Sequence, residues 1–541
     1  MSETVIEIIR KYSQLQSDRY GHETDWNDIR NLVRPVSLGI NRTTGKYVYV
    51  RTEAMYDGTA PEALEELASA LHSYLSNPTE RWFELSVDSD HEANMDPDIL
   101  LWLETVADII YDSYCREHVM LNQSLHEAYM DVGAFGNGCI NQEWSWRNND
   151  ILFSAKPVAD CFIQENSEGI VDTMYRRVKW SLRQVKQEFP GLPPRLSKET
   201  NEEKDFEILH AIFPRTDAIP GNPGENSKAF ASVWLCVTTK ELLKVGGYDQ
   251  FPYHWPRWAK LAGEVYGRGP AKKCLPDIKM LNSMEKTLLK AGQKAVDPPI
   301  VVDNEGFLLP LRTSPGALIF KEPGTEHPEP LIFSGNLPWG LEQANQKREF
   351  IRNCFYADWI RMEKANKEMT AYEVADRREE KLRLLAPMLG RLVSELHGPM
   401  IKRTYALLND HGRIPLAPQQ LQGKRVKIGY TSPASRAQTG VKALQMSRFI
   451  QELIPLVQLA PDILDVVDID RYAQELALAR GTPRIILRSP EAVTAIRQSR
   501  QQQQQMAQMA QVAEPVTKSI KNLADARDKG LDISQLTGAQ L

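Results

Sequence analysis

Near the middle of the chain two helices flank a segment that cannot be helical. Pro276 reads as a first helical position, helical spacing then holds to about Val296, and Pro298-Pro299 stops it. At 1.5 Å per residue this helix is about 30 Å long. Residues 297–338 are dense in Pro and Gly, with short apolar runs at Ile300–Val302, Phe307–Leu309, Leu318–Phe320 and Leu331–Phe333. That is the texture of a small β module rather than a linker. A second helix starts near Leu341 and runs to about Met362. The chain therefore leaves along one helix and returns along another.

The remaining patterning reads as α+β, mainly α. Leu64, Leu67, Ala68, Leu71 and Leu75 recur at steps of three and four between Pro61 and Pro78, which puts them on one helical face. Further helices are expected near Asp98–His118 and Leu121–Val132. From Cys139 to about Trp258, short runs at Ile151–Ala155, Thr173–Val178, Glu207–Phe213 and Ser232–Thr238 are broken by Pro, Gly and Asn. They predict a β-rich subdomain of antiparallel strands, and the aromatic cluster Tyr248–Trp258 reads as its core, with a partner site as the alternative. Thr370 and Glu373 have capping-box spacing and open a helical stretch to Tyr405, kinked by Pro387 and Pro399. A strand at Arg425–Tyr430 follows, then helices near Val441–Leu456 and Asp462–Ala479. A last helix opens at Ser489-Pro490 and carries Gln501–Gln505, a solvated surface or a polar helix packed on copies of itself.

With 541 residues, 42% hydrophobic and 25% charged, the chain can bury several cores and is neither disordered nor collagen-like. Six scattered cysteines, without CxxC pairs, predict free and mostly buried thiols. The opening MSETVIEIIRKYSQLQSDRYG mixes acids and bases in a helical pattern, unlike a signal peptide, and no run of 18 apolar residues occurs, so no membrane partner is expected.

Catalytic signatures fail one after another. In Gly39–Lys46, five residues separate Gly39 from Gly45 and Tyr47 stands where a phosphate loop needs Ser or Thr. Counted from Asp88 as a calcium loop, Ala93 takes the glycine position and Ile99 that of the last acid. Asp462, Asp465, Asp468 and Asp470 read as acids favouring a helix dipole. Gly133, Gly136 and Gly138 read as a helix end and a turn into Cys139–Trp144, not a dinucleotide fingerprint. GxSxG and HExxH are absent. No catalytic residue, metal site or cofactor is assigned.

Lysine placement says more. Lys279, Lys286, Lys290 and Lys294 fall within about an 80° sector of the first long helix at 100° per residue, with Ile278, Leu281, Leu288, Leu289 and Val296 opposite. Such a stripe is either a solvated face or a surface open to phosphates. Arg361, Lys364 and Lys367, between the second and third helices, carry the same two readings. Lys plus Arg total 65 against 71 for Asp plus Glu, a formal charge of −6, so contact with nucleic acid would be local.

Three stretches in this order, Tyr56–Leu85, Tyr266–Asn282 and Met369–Arg403, resemble the portal, or head-to-tail connector, proteins of short-tailed double-stranded DNA bacteriophages. The likeness covers about residues 1–460 and implies a virion ring, in the family typically of twelve subunits, assembled in the host cytoplasm. It also implies a portal fold: wing (1–268), stem helices (269–296 and 339–360), β-containing clip (297–338), tunnel loop with kinked helix (361–460) and helical crown or barrel (461–541). The implied partners are duplex DNA in the channel, the terminase large subunit, scaffolding and major capsid proteins, tail adaptors and internal core proteins. The seven basic residues named above become candidates for the channel lining. The rival readings are a self-assembling structural head protein without a DNA channel, and a nuclease or ATPase of the packaging machinery.

Overall fold

A computed structural model describes residues 2–35, 55–87, 97–215, 227–301, 323, 329–330, 337–357, 388–421, 426–430, 446–453, 467–479 and 493–505. The fold is mixed α and β, mainly helical. It divides into two compact units, the larger being residues 1–88, 102–417 and 422–437, and the smaller 89–101, 418–421 and 438–541.

In the larger unit, helix α1 (Ser2–Leu32) precedes α2 (Thr59–Leu75), strand β1 (Phe83–Val87), α3 (Pro97–Tyr114, whose first residues belong to the smaller unit) and α4 (Leu121–Phe135). The face predicted for α2 is the buried one, Leu64, Leu67, Ala68, Leu71 and Leu75 all lying in the core. Strands β2 (Ile140–Ser145), β3 (Asp150–Ala155), β4 (Cys161–Glu165) and β5 (Val171–Ser181) lead to short helices α5 (Leu182–Glu188) and α6 (Pro194–Ser197). Next come β6 (Asp205–Pro214), β7 (Phe230–Cys236), β8 (Glu241–Tyr248) and β9 (Tyr253–His254). Every pairing is antiparallel, in a meander β4-β5-β6-β7-β8 and a smaller sheet β3-β2-β9.

The meander is covered on both faces, which explains its unbroken apolar runs. Along β6, Leu209 and Ala211 join Val5, Ile8, Tyr12 and Leu15 of α1, while Phe206 and Ile208 pack with Leu182 and Val185 of α5. Arg19 of α1 is fully buried: it donates to the carbonyls of Val158, Ala159 and Cys161, pairs with Glu23 and lies 3.7 Å over the Phe162 ring. Tyr253, Trp255 and Trp258 are buried, as the core reading of their cluster predicts. The six cysteines are free, and only Cys115 is exposed.

Helix α7 (Pro270–Val296) starts a turn and a half before the expected Pro276. Gly269 is its N-cap and Pro270 supplies the proline at the first position, so Pro276 lies inside the helix. The two-residue strands β10 (Ile300–Val301) and β11 (Glu329–Pro330) pair across the Pro/Gly-rich region. The rest of residues 297–338 that carried the β-module expectation lies largely outside the described residues. Helix α8 (Leu337–Cys354) ends before the expected Met362, because the chain turns at Phe355-Tyr356 with Tyr356 at φ 59°.

Thr370, Glu373 and Pro387 lie outside the described residues. Around Pro399 the predicted distortion is a π-helical turn, Val393–His397, closed by the Gly398 N–H on the Val393 carbonyl, and the helix then continues as Gly398–Asp410. Strand β12 (Val426–Tyr430) pairs with β1. In the smaller unit, residues 446–453 and 493–505 and the helix Ile469–Ala479 are helical. Asp470 sits in that helix's first turn and makes a bidentate pair with Arg497 at 2.7 Å.

The glycines of DVGAFGNG do end a helix. Gly136 caps α4 at φ +77°, and a β-carbon there would collide with the backbone of Arg268 and Gly269. Reciprocally, a β-carbon on Gly269 would lie 2.8 Å from the Gly133 carbonyl oxygen. Asn137 completes the joint: its Oδ1 accepts from the Gly267 N–H (2.8 Å) and its Nδ2 donates to the Gly267 carbonyl (3.1 Å). Gly136→Ala combines a left-handed backbone with this contact and should lower stability by about 2–4 kcal/mol. Gly58→Ala, where a β-carbon meets nothing, is the control; urea unfolding of both tests the difference.

A buried polar chain crosses the same unit. His254 Nε2 donates to Gln142 (2.8 Å), whose amide donates to Thr404 (2.8 Å), and His397 contacts the Tyr129 hydroxyl at 3.1 Å. Burial, with Arg403 and His397 adding to it, pushes the His254 pKa down to about 3; burial and His72 do the same for His397. Below pH 6.5 the unfolded chain binds protons that these rings refuse, so their contribution is complete above 6.5 and drains as pH falls toward 3. Urea melts should show about 2 kcal/mol lost per histidine by pH 5, with a flatter profile for His397→Gln.

Candidate functional site

The hairpin of α7 and α8 carries the described part of the basic set, and ion pairs fix it. From α8, Lys347 reaches Asp277 (2.7 Å), while Arg348 holds both Asp57 (3.0 Å) and Glu285. From α1, Asp25 takes Lys272 (2.8 Å) and Asp28 takes Lys279. Asp277 and Glu285 lie on α7 itself, whereas Asp25, Asp28 and Asp57 come from other segments, and the lysine spacing alone does not reveal them. The only available signal was their spacing, Asp25 and Asp28 being three apart on one helix.

The stripe is therefore divided. Lys279 is engaged by α1. Lys286 is exposed with its Nζ 5.6 Å from the Tyr56 ring, and Lys290 and Lys294 are exposed further along. Arg361, Lys364 and Lys367 lie outside the described residues. The opposite face changes along its length: Ile278 and Leu281 are buried, whereas Leu289 is 52% and Val296 88% exposed. On α8, Trp339, Leu341 and Phe350 are exposed too. An open depression runs along this end of the hairpin, lined by Leu288, Leu289, Val296 and Leu341 together with Glu285, Lys290, Lys294 and Asp297.

Where α7 begins, one guanidinium ties three segments. Arg257 donates to Glu395 of the π-helical turn (2.6 Å), to Glu165 of β4, and to the carbonyls of Val265 (3.0 Å) and Gly169 (3.1 Å). Lys260 shares Glu165 at 2.6 Å. Burial alone would lower the Arg257 pKa, but Glu395 and Glu165 outweigh it and hold it above its ordinary value. Glu395→Ala leaves that buried charge short of a partner and should cost about 3–5 kcal/mol. Lys186→Ala, at the exposed pair with Glu202, should cost less than about 1 kcal/mol in the same thermal melts.

Among the described residues, no group of three or more His, Cys, Asp or Glu converges as a metal site, and no helix is long and apolar enough to cross a membrane. What the hairpin offers is a row of exposed amines on one side and uncovered apolar side chains on the other. That arrangement suits contact with polyanions and with other protein surfaces.

Residues 6–487 match the family model of the bacteriophage head-to-tail connecting protein, so this chain belongs to that family. It is 26% identical over 508 residues to the probable portal protein of Bordetella phage BPP-1, covering 91% of this chain and 90% of that one. It is also 25% identical over 519 residues to the portal protein of Salmonella phage epsilon15, covering 92% and 91%.

Proposed function

We propose that the chain is a phage portal subunit: copies close into a ring, with about twelve as the family's usual number, at one capsid vertex, and genome DNA passes through it during packaging and ejection. The observation that carries this is the family match across residues 6–487, together with two portal relatives aligned over nine-tenths of their lengths. In this reading α7 and α8 are the stem and residues 297–338 the clip. The tunnel loop falls near residues 358–369. The ring receives the terminase large subunit and then the tail adaptors, sits among scaffolding and capsid proteins, and meets internal core proteins at its crown. Its role is structural, and the motor's ATP hydrolysis belongs to the terminase.

Charge favours a conduit. Each strongly neutralised phosphate adds salt-dependent affinity that resists sliding, whereas twelve mildly acidic copies carry roughly −70 overall. In such a ring every channel-facing lysine becomes a collar. Lys286, Lys290 and Lys294 are the described candidates, with Arg361, Lys364 and Lys367 beyond them. Lys279, paired to Asp28, is the weakest member of the set.

Negative-stain images of the purified protein test the reading: an annulus with an axial hole is expected, and a solid disc favours the structural head protein without a channel. In Lys286→Glu with Lys290→Glu, rings should still form while DNA packaging or retention, read as DNA per particle, changes. Unchanged packaging would remove the stripe from the channel.

A further inference from the structure

A cleft of about 1230 Å³ opens beside the π-helical turn, with walls from the turn before β5, the Phe251–Lys260 segment, residues 391–402 and β12. Its charges do not balance. Glu165 and Glu395 are taken up by Arg257, Lys260 and Arg391, which leaves Lys402 and Lys427 facing Glu168. Lys402 and Lys427 are exposed, and neither has a carboxylate partner among the described residues. The cleft is also apolar: Ile170 is 58% and Val426 39% exposed at its rim. Strand β12, which lines it with Val426, Lys427 and Ile428, pairs with β1 on one side and, among the described residues, with nothing on the other. An open strand edge beside surplus cations and apolar side chains fits an extended segment that alternates acidic and aliphatic residues.

We propose that this cleft is a subunit interface that receives an acidic, aliphatic-bearing segment of a second copy of this chain. The inference rests on the ring reading and names the contact that builds it. The charge pattern selects the partner and the geometry together. A chain with a net charge of −6 has acidic surface to offer a basic cleft. Two such clefts facing each other across a twofold axis would instead set like charges together. The contact is therefore head to tail, and a head-to-tail contact that repeats through a constant rotation closes into a ring.

The test is Lys402→Glu with Lys427→Glu, both at exposed positions, compared with the unaltered chain by mass photometry at 0.15 M salt. A thermal melt equal to that of the unaltered chain shows that the variant is folded. The expected result is at least about a tenfold rise in the concentration at which half the chains are assembled. Ile170→Asp should act in the same direction. A folded double variant that assembles like the unaltered chain overturns the proposal while leaving the ring reading intact. It would do so equally if the variant's rings had lost another virion protein, or if a segment of the same chain filled the cleft. An unaltered chain that stays monomeric overturns both.

Discussion

The larger unit depends on a place where backbone meets backbone. The end of α4 and the Gly267-Arg268-Gly269 segment approach so closely that no side chain fits between them, and Asn137 locks the contact by bonding both polar groups of Gly267. Because Gly269 is also the N-cap of α7, this joint sets the point and direction in which the long helix starts. Arg257, which bridges Asn137 in an isolated β-pairing, brings the π-helical turn to the same place through Glu395. Steric exclusion and desolvated charge do this work. Both are directional, which general hydrophobic burial is not.

Periodicity and punctuation made the individual elements legible. The α2 stripe, the short strand runs after Cys139 and the glycine end of α4 were readable because each depends on neighbours within a few residues. Pro276 misled because a proline marks a helix start only if nothing earlier can cap the helix, and Gly269-Pro270 can. What stayed hidden was pairing across the chain. Strand β1 finds β12 some 340 residues on, Lys279 finds Asp28, and Arg257 finds Glu395. A lysine stripe reads the same whether its members face water or a distant carboxylate, so the candidate site was legible as a list and not as a surface. The region of Pro399 shows the intermediate case. A disturbance of the helix was expected there, and a π-helical turn lies just before it, whereas the use of that turn as an anchor for Arg257 was not legible.

The electrostatics of the hairpin follow one rule along its length. Toward the start of α7, Lys272, Lys279, Lys347 and Arg348 are held by acids: Asp25, Asp28, Asp277, and Asp57 with Glu285. The pairs to Asp25, Asp28 and Asp57 fix the hairpin to α1 and to the segment before α2, and those to Asp277 and Glu285 fix its two helices to each other. Further out the amines of Lys286, Lys290 and Lys294 stand exposed. Ion pairs are thus concentrated at the base and exposed amines toward the tip, a division that suits an element anchored at one end and open to a polyanion along the other.

The apolar face of α7 divides at the same level. Ile278 and Leu281 find cover inside the chain, whereas Leu289 and Val296, with Leu341 on α8, do not. A single helix thereby serves two processes. Its first half is stabilised by folding of the subunit, and its second half retains apolar area whose burial, at about 25 cal/mol per Å², becomes available only when another surface arrives. In the proposed ring, association then draws on surface that folding has left unused.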